Sequence, residues 1–327
     1  MRVAVTGATG HLGANVVREL VAQGHRPVAL HRATSNLVGL LGLESETAIA
    51  DVLDPASLAP ALEGCDAVIH LAAVISIDGD RDGRVWRTNV EGVRNVARAA
   101  LEAGVGRFVH VSSVHAFHVT GEEPFVDETA PRARDTAFAY DRSKAAGERE
   151  VRAAIAGGLD AVILNPTGII GPHDPAGSPS GDFLRSLFRG GVPALVEGGF
   201  DFVDVRDVAA ATVAALKDGD AGNNFLLSGK WAALADLAHI AGVASGHMRR
   251  RVVLPASLAR AGLPVLKAWA QLTGTPPIYT AESIAILTNS NRNCVSDKAR
   301  AQLAFAARPL EETIRDTYAW NREAGLL

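Results

Sequence analysis

Cysteine is scarce in this chain of 327 residues: there are two, Cys65 and Cys294. No Cys-x-x-Cys occurs, and no cysteine and histidine cluster at the spacing of metal ligands. The expectation is therefore two inert thiols in a reducing compartment and no bound metal. No uninterrupted apolar run reaches the roughly 18 residues of a membrane-spanning helix, so no membrane association is expected. A charged start followed by an apolar signal segment is also missing. The chain runs straight into a strand pattern, Arg2-Val3-Ala4-Val5-Thr6, and a cytoplasmic protein is expected. Basic residues are not in excess: 32 Lys and Arg face 36 Asp and Glu, for a net charge of -4. That balance gives no electrostatic footprint for nucleic acid.

What is present is an ordinary globular composition, 48% hydrophobic and 21% charged. The length suits one large α/β domain with a smaller companion. In the first half, short apolar runs alternate with helical patterns. Strands are expected at Val3–Val5, Pro27–His31, Ile49–Val52, Ala67–Ala72, Phe108–Ser112 and Asp160–Leu164. Helices are expected at Leu12–Ala22, Pro55–Leu62, Val90–Ala103 and Ala139–Ala156. Continuous apolar strands alternating with helices imply a doubly wound parallel sheet of the Rossmann type, covered on both faces.

Residues 171–182 are rich in Gly, Pro, Ser and Asp and read as a long loop. Asp204–Leu216 returns to a helical pattern and Asn224–Leu227 to a strand. Beyond residue 230 the pattern is helical and mixed, punctuated by Pro255, Pro264 and Pro276-Pro277. The expected division is a dinucleotide-binding domain over 1–170, rejoined by about 200–228, and a mostly helical substrate-binding region over 171–199 and 229–327.

Between the first strand and first helix lies Thr6-Gly7-Ala8-Thr9-Gly10-His11-Leu12-Gly13. In that context the glycines have distinct tasks. Gly7 permits the tight turn, Gly10 lets backbone approach a pyrophosphate, and Gly13 lets helix and strand pack closely. The helix N-terminus then offers free amides and a positive dipole end to the phosphates. A dinucleotide is the expected ligand. The second strand ends Ala29-Leu30-His31-Arg32, and no acid stands between Glu19 and Glu44. NAD-selective sites place an acid here for the ribose 2′-hydroxyl. Its absence, with Arg32 available for a 2′-phosphate, favours NADP(H) over NAD(H). Asp51-Val52 follows the third strand and is a candidate flank for the adenine.

Tyr140-Asp141-Arg142-Ser143-Lys144 sets a tyrosine and a lysine four residues apart on one helix face. There are three tyrosines and five lysines, and neither Tyr279 nor Tyr318 has a lysine four residues on. A nearby ammonium, together with the positive charge of an oxidised nicotinamide, favours the phenolate, so the two are expected to lower the pKa of Tyr140 and fit it for proton transfer. Ser112-Ser113 closes the fifth strand, where ligands of an open parallel sheet sit, and one of the two serines can hydrogen-bond a substrate oxygen.

These pieces resemble the extended short-chain dehydrogenase/reductase family. The resemblance extends to Asp51-Val52-Leu53-Asp54, His70-Leu71-Ala72-Ala73, Thr88-Asn89-Val90, Val111-Ser112-Ser113, Asp204-Val205-Arg206-Asp207-Val208-Ala209 and the tail from Arg308 to Thr317. It implies a catalytic set of Ser113, Tyr140 and Lys144 with an accessory Asn89. Ser113 is preferred to Ser112 because the family's serine precedes an aromatic by four, here Phe117. Leu71, Ala72 and Ala73 would line the cofactor groove, and Pro166 and Thr167 would border the nicotinamide.

The run Asn165-Pro166-Thr167-Gly168-Ile169-Ile170-Gly171-Pro172, with Arg32, is most similar to the dihydroflavonol-reductase-like branch. That branch implies reduction of a ketone or aldehyde by NADPH, Tyr140 giving the proton, and a small-molecule carbonyl or alcohol as partner. A nucleotide-sugar epimerase or dehydratase, or a hydroxysteroid-dehydrogenase-like enzyme, is the alternative; a non-catalytic dinucleotide sensor is a third. An epimerase needs cations for a nucleoside diphosphate, and Arg249-Arg250-Arg251 is the candidate, read more simply as a solvated turn. His115 and His118 follow the serine and are candidates for substrate contact or for exposed loop positions. Phe183, Phe200, Trp231 and Trp269 would make an apolar pocket if they face it. The family also allows a homodimer through the helices at Val90–Ala103 and Ala139–Ala156.

Overall fold

The computed structural model describes residues 1–273 and 279–327. Pro276 and Pro277 lie outside the described residues, and so does the side chain of Trp269.

The chain opens with β1 (Arg2–Thr6), α1 (His11–Ala22), β2 (Arg26–His31), β3 (Glu46–Ile49), α2 (Pro55–Leu62) and β4 (Ala67–His70). A short turn of helix, α3 (Arg84–Trp86), runs through a π-helical turn at Arg87–Glu91 into α4 (Gly92–Glu102). Next come β5 (Arg107–Val111), α5 (Ala139–Ala156), β6 (Ala161–Pro166), β7 (Gly168–Ile170), α6 (Pro179–Phe188), β8 (Ala194–Val196) and β9 (Gly199–Asp204). The remainder is α7 (Val205–Ala214), β10 (Asn224–Leu227), β11 (Lys230–Ala233), α8 (Leu234–Ser245), β12 (Val252–Leu254), α9 (Ala256–Thr273), α10 (Ala281–Asn289), α11 (Asp297–Leu303) and α12 (Leu310–Glu323).

Seven strands form one parallel sheet in the order β10-β6-β5-β4-β1-β2-β3. Strand order reverses between β1 and β4, and the crevice at such a reversal is where doubly wound sheets bind ligands. Two apolar layers explain why the sheet is stable. Val3, Val5, Ile69, Val109 and Leu164 pack on one face with Val16, Leu20 and Val208. Val68, Phe108 and Ile163 pack on the other with Leu58, Val96 and Val151. Alternate residues thus bury both faces, as the unbroken apolar runs require. A smaller sheet, β11-β9-β7, and the two-stranded β12-β8 lie apart from the large one. A third apolar cluster joins Leu184, Phe188, Leu195, Leu237 and Ile314.

Three sequence expectations shift. The third strand is Glu46–Ile49, not Ile49–Val52. It is an exposed edge strand, so its own residues carry no apolar signal, and Val52 instead lies in the following turn against the core. The expected loop at 171–182 gives way to α6 at Pro179, because Ser178 caps its start by accepting from Gly181 N and Pro179 fits a first helical turn. Finally, helix precedes Val90 and includes the π turn.

Candidate active site

The glycine turn is built for close approach. Gly7 adopts φ +67°, and a β-carbon there would lie 2.8 Å from Ala72 N. At Gly13 a β-carbon would lie 2.1 Å from Gly7 O, so helix and turn can meet only without a side chain. No side chain caps the start of α1 and no acid occupies its first turn. The amides around His11, Leu12 and Gly13 are thereby left for an anion. At Gly10 only Gly7 O, at 3.4 Å, would meet an added β-carbon. Leu71 N and Ala72 N both donate to Thr6 Oγ1, at 3.1 and 3.2 Å, which ties the segment after β4 to the turn. The fold therefore brings Gly7, the first glycine of the turn, against Leu71 and Ala72 at the strand-order reversal.

Arg32 stands just past β2, exposed, and forms no ion pair among the described residues. Asp51 caps the turn after β3, accepting from Leu53 N at 2.9 Å. His11 is not free at the helix start: its Nε2 meets Pro172 O at 3.0 Å.

The catalytic candidates converge from β5, the π turn and α5. Ser113 lies two residues past β5 and caps the short helical turn Val114–Ala116, its Oγ accepting from His115 N at 3.2 Å. Tyr140 and Lys144 share the first two turns of α5. Lys144 Nζ donates to Val111 O at 3.2 Å. Asn89 sits inside the π turn, where its side chain both accepts from Val74 N (2.8 Å) and donates to Val74 O (2.9 Å). It also donates to Ser143 Oγ at 2.9 Å, and Ser143 Oγ in turn donates to Tyr140 O at 2.7 Å. Asn89 thus holds the start of α5 against the segment after β4.

The packed site adds an effect that helical spacing does not carry. Burial pushes the Tyr140 phenol up to about 12, against a hydrogen bond with Ser113 that lowers it, and the Asp141 carboxylate adds to the rise. In the protein alone the phenol is therefore raised. Lys144 is itself brought down to about 8 by burial, with Glu148 opposing. Among the described residues its ammonium donates to one carbonyl, Val111 O, which leaves two of its three N–H groups for other partners.

A buried network below the site was not foreseen. Glu148 Oε1 accepts from Asn165 Nδ2 at 2.6 Å, its Oε2 accepts from Asn224 Nδ2 at 3.0 Å, and Arg132 pairs with it at 3.1 Å. Asn165 Nδ2 also donates to Ser113 O at 2.9 Å, so the network fixes the serine's backbone. Glu148 lies one helical turn beyond Lys144, and an acid on the buried face of an amphipathic helix is the one signal the sequence offers.

Beside the turn that follows Ser113 opens a cavity of about 660 Å³, lined by Val114, His115, Phe117, Phe138, Asp141 and Phe200 among others. Tyr140, Ser113 and Lys144 are not in that lining; the Tyr140 ring adjoins it through its edge contact with His115. Among its described lining residues there is no Arg and no Lys. Thr167 borders it too, but its hydroxyl is committed to Asp201 Oδ1 at 2.6 Å; Pro166 ends β6 and is buried. Of the aromatic candidates with described side chains, Phe200 lines the cavity. Phe183 packs in the third core cluster, and Trp231 lies under Arg292 with its N–H on Ser290 Oγ at 3.0 Å. The arginine run does not serve the cavity: Arg251 Nε donates to Val192 O at 3.1 Å and latches the chain before β8.

Residues 3–227 match the NAD dependent epimerase/dehydratase family. The chain belongs to that family. It is 35% identical to sterol demethylase protein B of Methylococcus capsulatus, over the full length of both chains. It is 31% identical to a Synechocystis sp. protein provisionally named a dihydroflavonol 4-reductase, over 98% of this chain and 94% of that protein. The crystal structure of gox2253 superposes with a TM-score of 0.86 at 35% identity, covering 99% of each chain. Members of this epimerase/dehydratase family similar to this chain include reductases and dehydrogenases by name. No helix among the described residues is long and apolar enough to cross a membrane.

Proposed function

We propose that this family member is an NADPH-dependent reductase of a ketone or aldehyde, running reversibly as an alcohol dehydrogenase. One observation carries the reading: the Tyr140 ring meets His115 edge-on at 5.5 Å, and His115 lines a cavity with no described Arg or Lys in its lining. A group that must give a proton to a developing alkoxide has to carry that proton at neutral pH, and Tyr140 does. A nucleoside diphosphate would need cations opposite its phosphates, which argues against the epimerase alternative.

The bound dinucleotide would supply the hydride. The turn from Gly7 to Gly13 and the uncapped start of α1 suit its pyrophosphate, and Arg32 suits a 2′-phosphate. Leu71, Ala72, Ala73, Pro166 and Thr167 are proposed as its walls, and Asp51 and Val52 as neighbours of its adenine end. Ser113 orients the substrate oxygen through its hydroxyl. Tyr140 donates the proton to that oxygen. Lys144 holds ribose hydroxyls and, while charged, stabilises the phenolate left behind. Asn89 keeps the first turn of α5 in register with the loop after β4.

The test is nicotinamide oxidation followed optically across aldehydes and ketones, with NADPH and NADH in parallel and UDP-glucose as a control. Turnover of a carbonyl with NADPH, lowered by about 10²–10⁴ in Tyr140→Phe, is the expected result. Interconversion of the sugar nucleotide without net cofactor oxidation would overturn it.

A further inference from the structure

The turn that Ser113 caps holds one member of a pair whose parts are 26 residues apart in sequence. His115 Nδ1 meets Asp141 Oδ1 at 2.8 Å. Phe200 lies almost parallel against the imidazole, with ring centres 5.8 Å apart at 16°. The Tyr140 ring meets its edge at 5.5 Å and 65°. Its backbone N–H donates to the hydroxyl of Ser113. The ring is therefore fixed by a carboxylate, an aromatic face and the proton donor's own ring, and such support gives a side chain one orientation. His115, Asp141 and Phe200 all line the cavity, and the two polar side chains keep 20% and 18% of their surface. Nδ1 is taken by the carboxylate. Nε2 has no hydrogen-bond partner among the described residues and is not a sealed-off atom.

We infer that His115, oriented by Asp141, is a second polar contact for the substrate, taking a neutral oxygen group carried close to the reacting carbonyl. The inference rests on reading Tyr140 as the residue that receives the reacting oxygen. With Nδ1–H donating to Asp141, Nε2 accepts from a hydroxyl when the ring is neutral and donates to a carbonyl when it is charged. Either way it recognises oxygen. The charge of the lining decides which kind: Asp141, Glu122 and Asp201 are present and no described cation balances them. A free carboxylate on the substrate is disfavoured there, while an ester, thioester, ketone or hydroxyl oxygen is not. The His115 and Tyr140 rings stand 5.5 Å apart, centre to centre, so the compound chosen to reach both carries its second oxygen close to the first, as a 1,3-dioxygenated compound does.

Ethyl acetoacetate and 2-heptanone have chains of equal length and differ by that second oxygen function. Intrinsic reactivity favours the ester, so the quantity to compare is the ratio of their kcat/KM values in each variant. That ratio should fall by about tenfold in His115→Ala, the scale of one hydrogen bond, and less but in the same direction in Asp141→Asn. In parallel, the His115 imidazole resonances of the full chain saturated with NADP⁺ should move with the ester and stay with the ketone. Equal losses for both compounds in His115→Ala, or resonances that ignore the ester, overturn the inference. If neither compound is reduced with either nicotinamide while the resonances still respond to the ester alone, the reductase reading fails and the second contact stands.

Discussion

Raising the pH should switch off Lys144 before it touches Tyr140. Burial brings the Lys144 ammonium from 10.5 to about 8, whereas the Tyr140 phenol stands at about 12. The charged fraction of the lysine is then about nine-tenths at pH 7, about half at pH 8 and about one-tenth at pH 9. Both assigned tasks of the lysine, holding ribose hydroxyls and stabilising the phenolate, depend on that charge. The kcat/KM for NADPH, which reports free enzyme, should therefore fall about tenfold per pH unit above 8. Unfolding is not the cause. The folded pKa lies below the unfolded one, so between about pH 8 and about pH 10.5 the unfolded chain binds more protons. This group's contribution to stability then rises with pH while activity drops. Lys144→Arg, which keeps its charge, should flatten the limb. Glu148→Gln removes the charge that opposes burial and should move the limb to lower pH. A profile flat to pH 9.5, or a limb that survives in Lys144→Arg, would refute the assignment.

Two further outcomes follow from named contacts. Arg32→Glu should raise KM for NADPH by about tenfold or more, the scale of a charge-assisted contact to phosphate, and leave KM for NADH little changed; steady-state titration of both cofactors reads it. Asn89→Leu removes hydrogen bonds to Val74 N, Val74 O and Ser143 Oγ. At about 1 kcal/mol each it should cost about 3 kcal/mol in denaturant unfolding and lower kcat through the displaced start of α5.

Where local pattern and tertiary role agree, the sequence reads well. The helix Ala139–Ala156 and the strand Asn224–Leu227 are found with the boundaries their patterns predict. Both are long or fully buried enough for periodicity to speak. The Tyr140 and Lys144 pair is legible because helical spacing alone puts both on one face. The third strand is misplaced because an edge strand owes its pairing to β2 and not to burial. Cooperative effects are out of reach in a different way. Lys144 is expected to act on Tyr140 from spacing, but the burial that raises one and lowers the other is a property of the packed site. The His115–Asp141 pair and the Glu148–Asn165–Asn224 network join residues from separate elements, so neither leaves a local trace. The family resemblance supplies Ser113 and Asn89, which residue pattern alone leaves undecided or unmarked.

The last strand of the large sheet, β10, is drawn from residues 224–227 and pairs with β6, more than fifty residues earlier. Its arrival does two jobs: Asn224 reaches Glu148, and Leu226 N is capped by Glu128 at 2.7 Å on the strand's outer side. During synthesis, then, the cofactor half emerges first with the flank of β6 bare and Glu148 short of one amide. At a ribosomal pace of about 5–20 residues per second, that interval lasts seconds. A nascent chain stalled before residue 224 would present an unpaired strand to chaperones or to another nascent copy, while one released past it would close both the flank and the buried acid at a stroke.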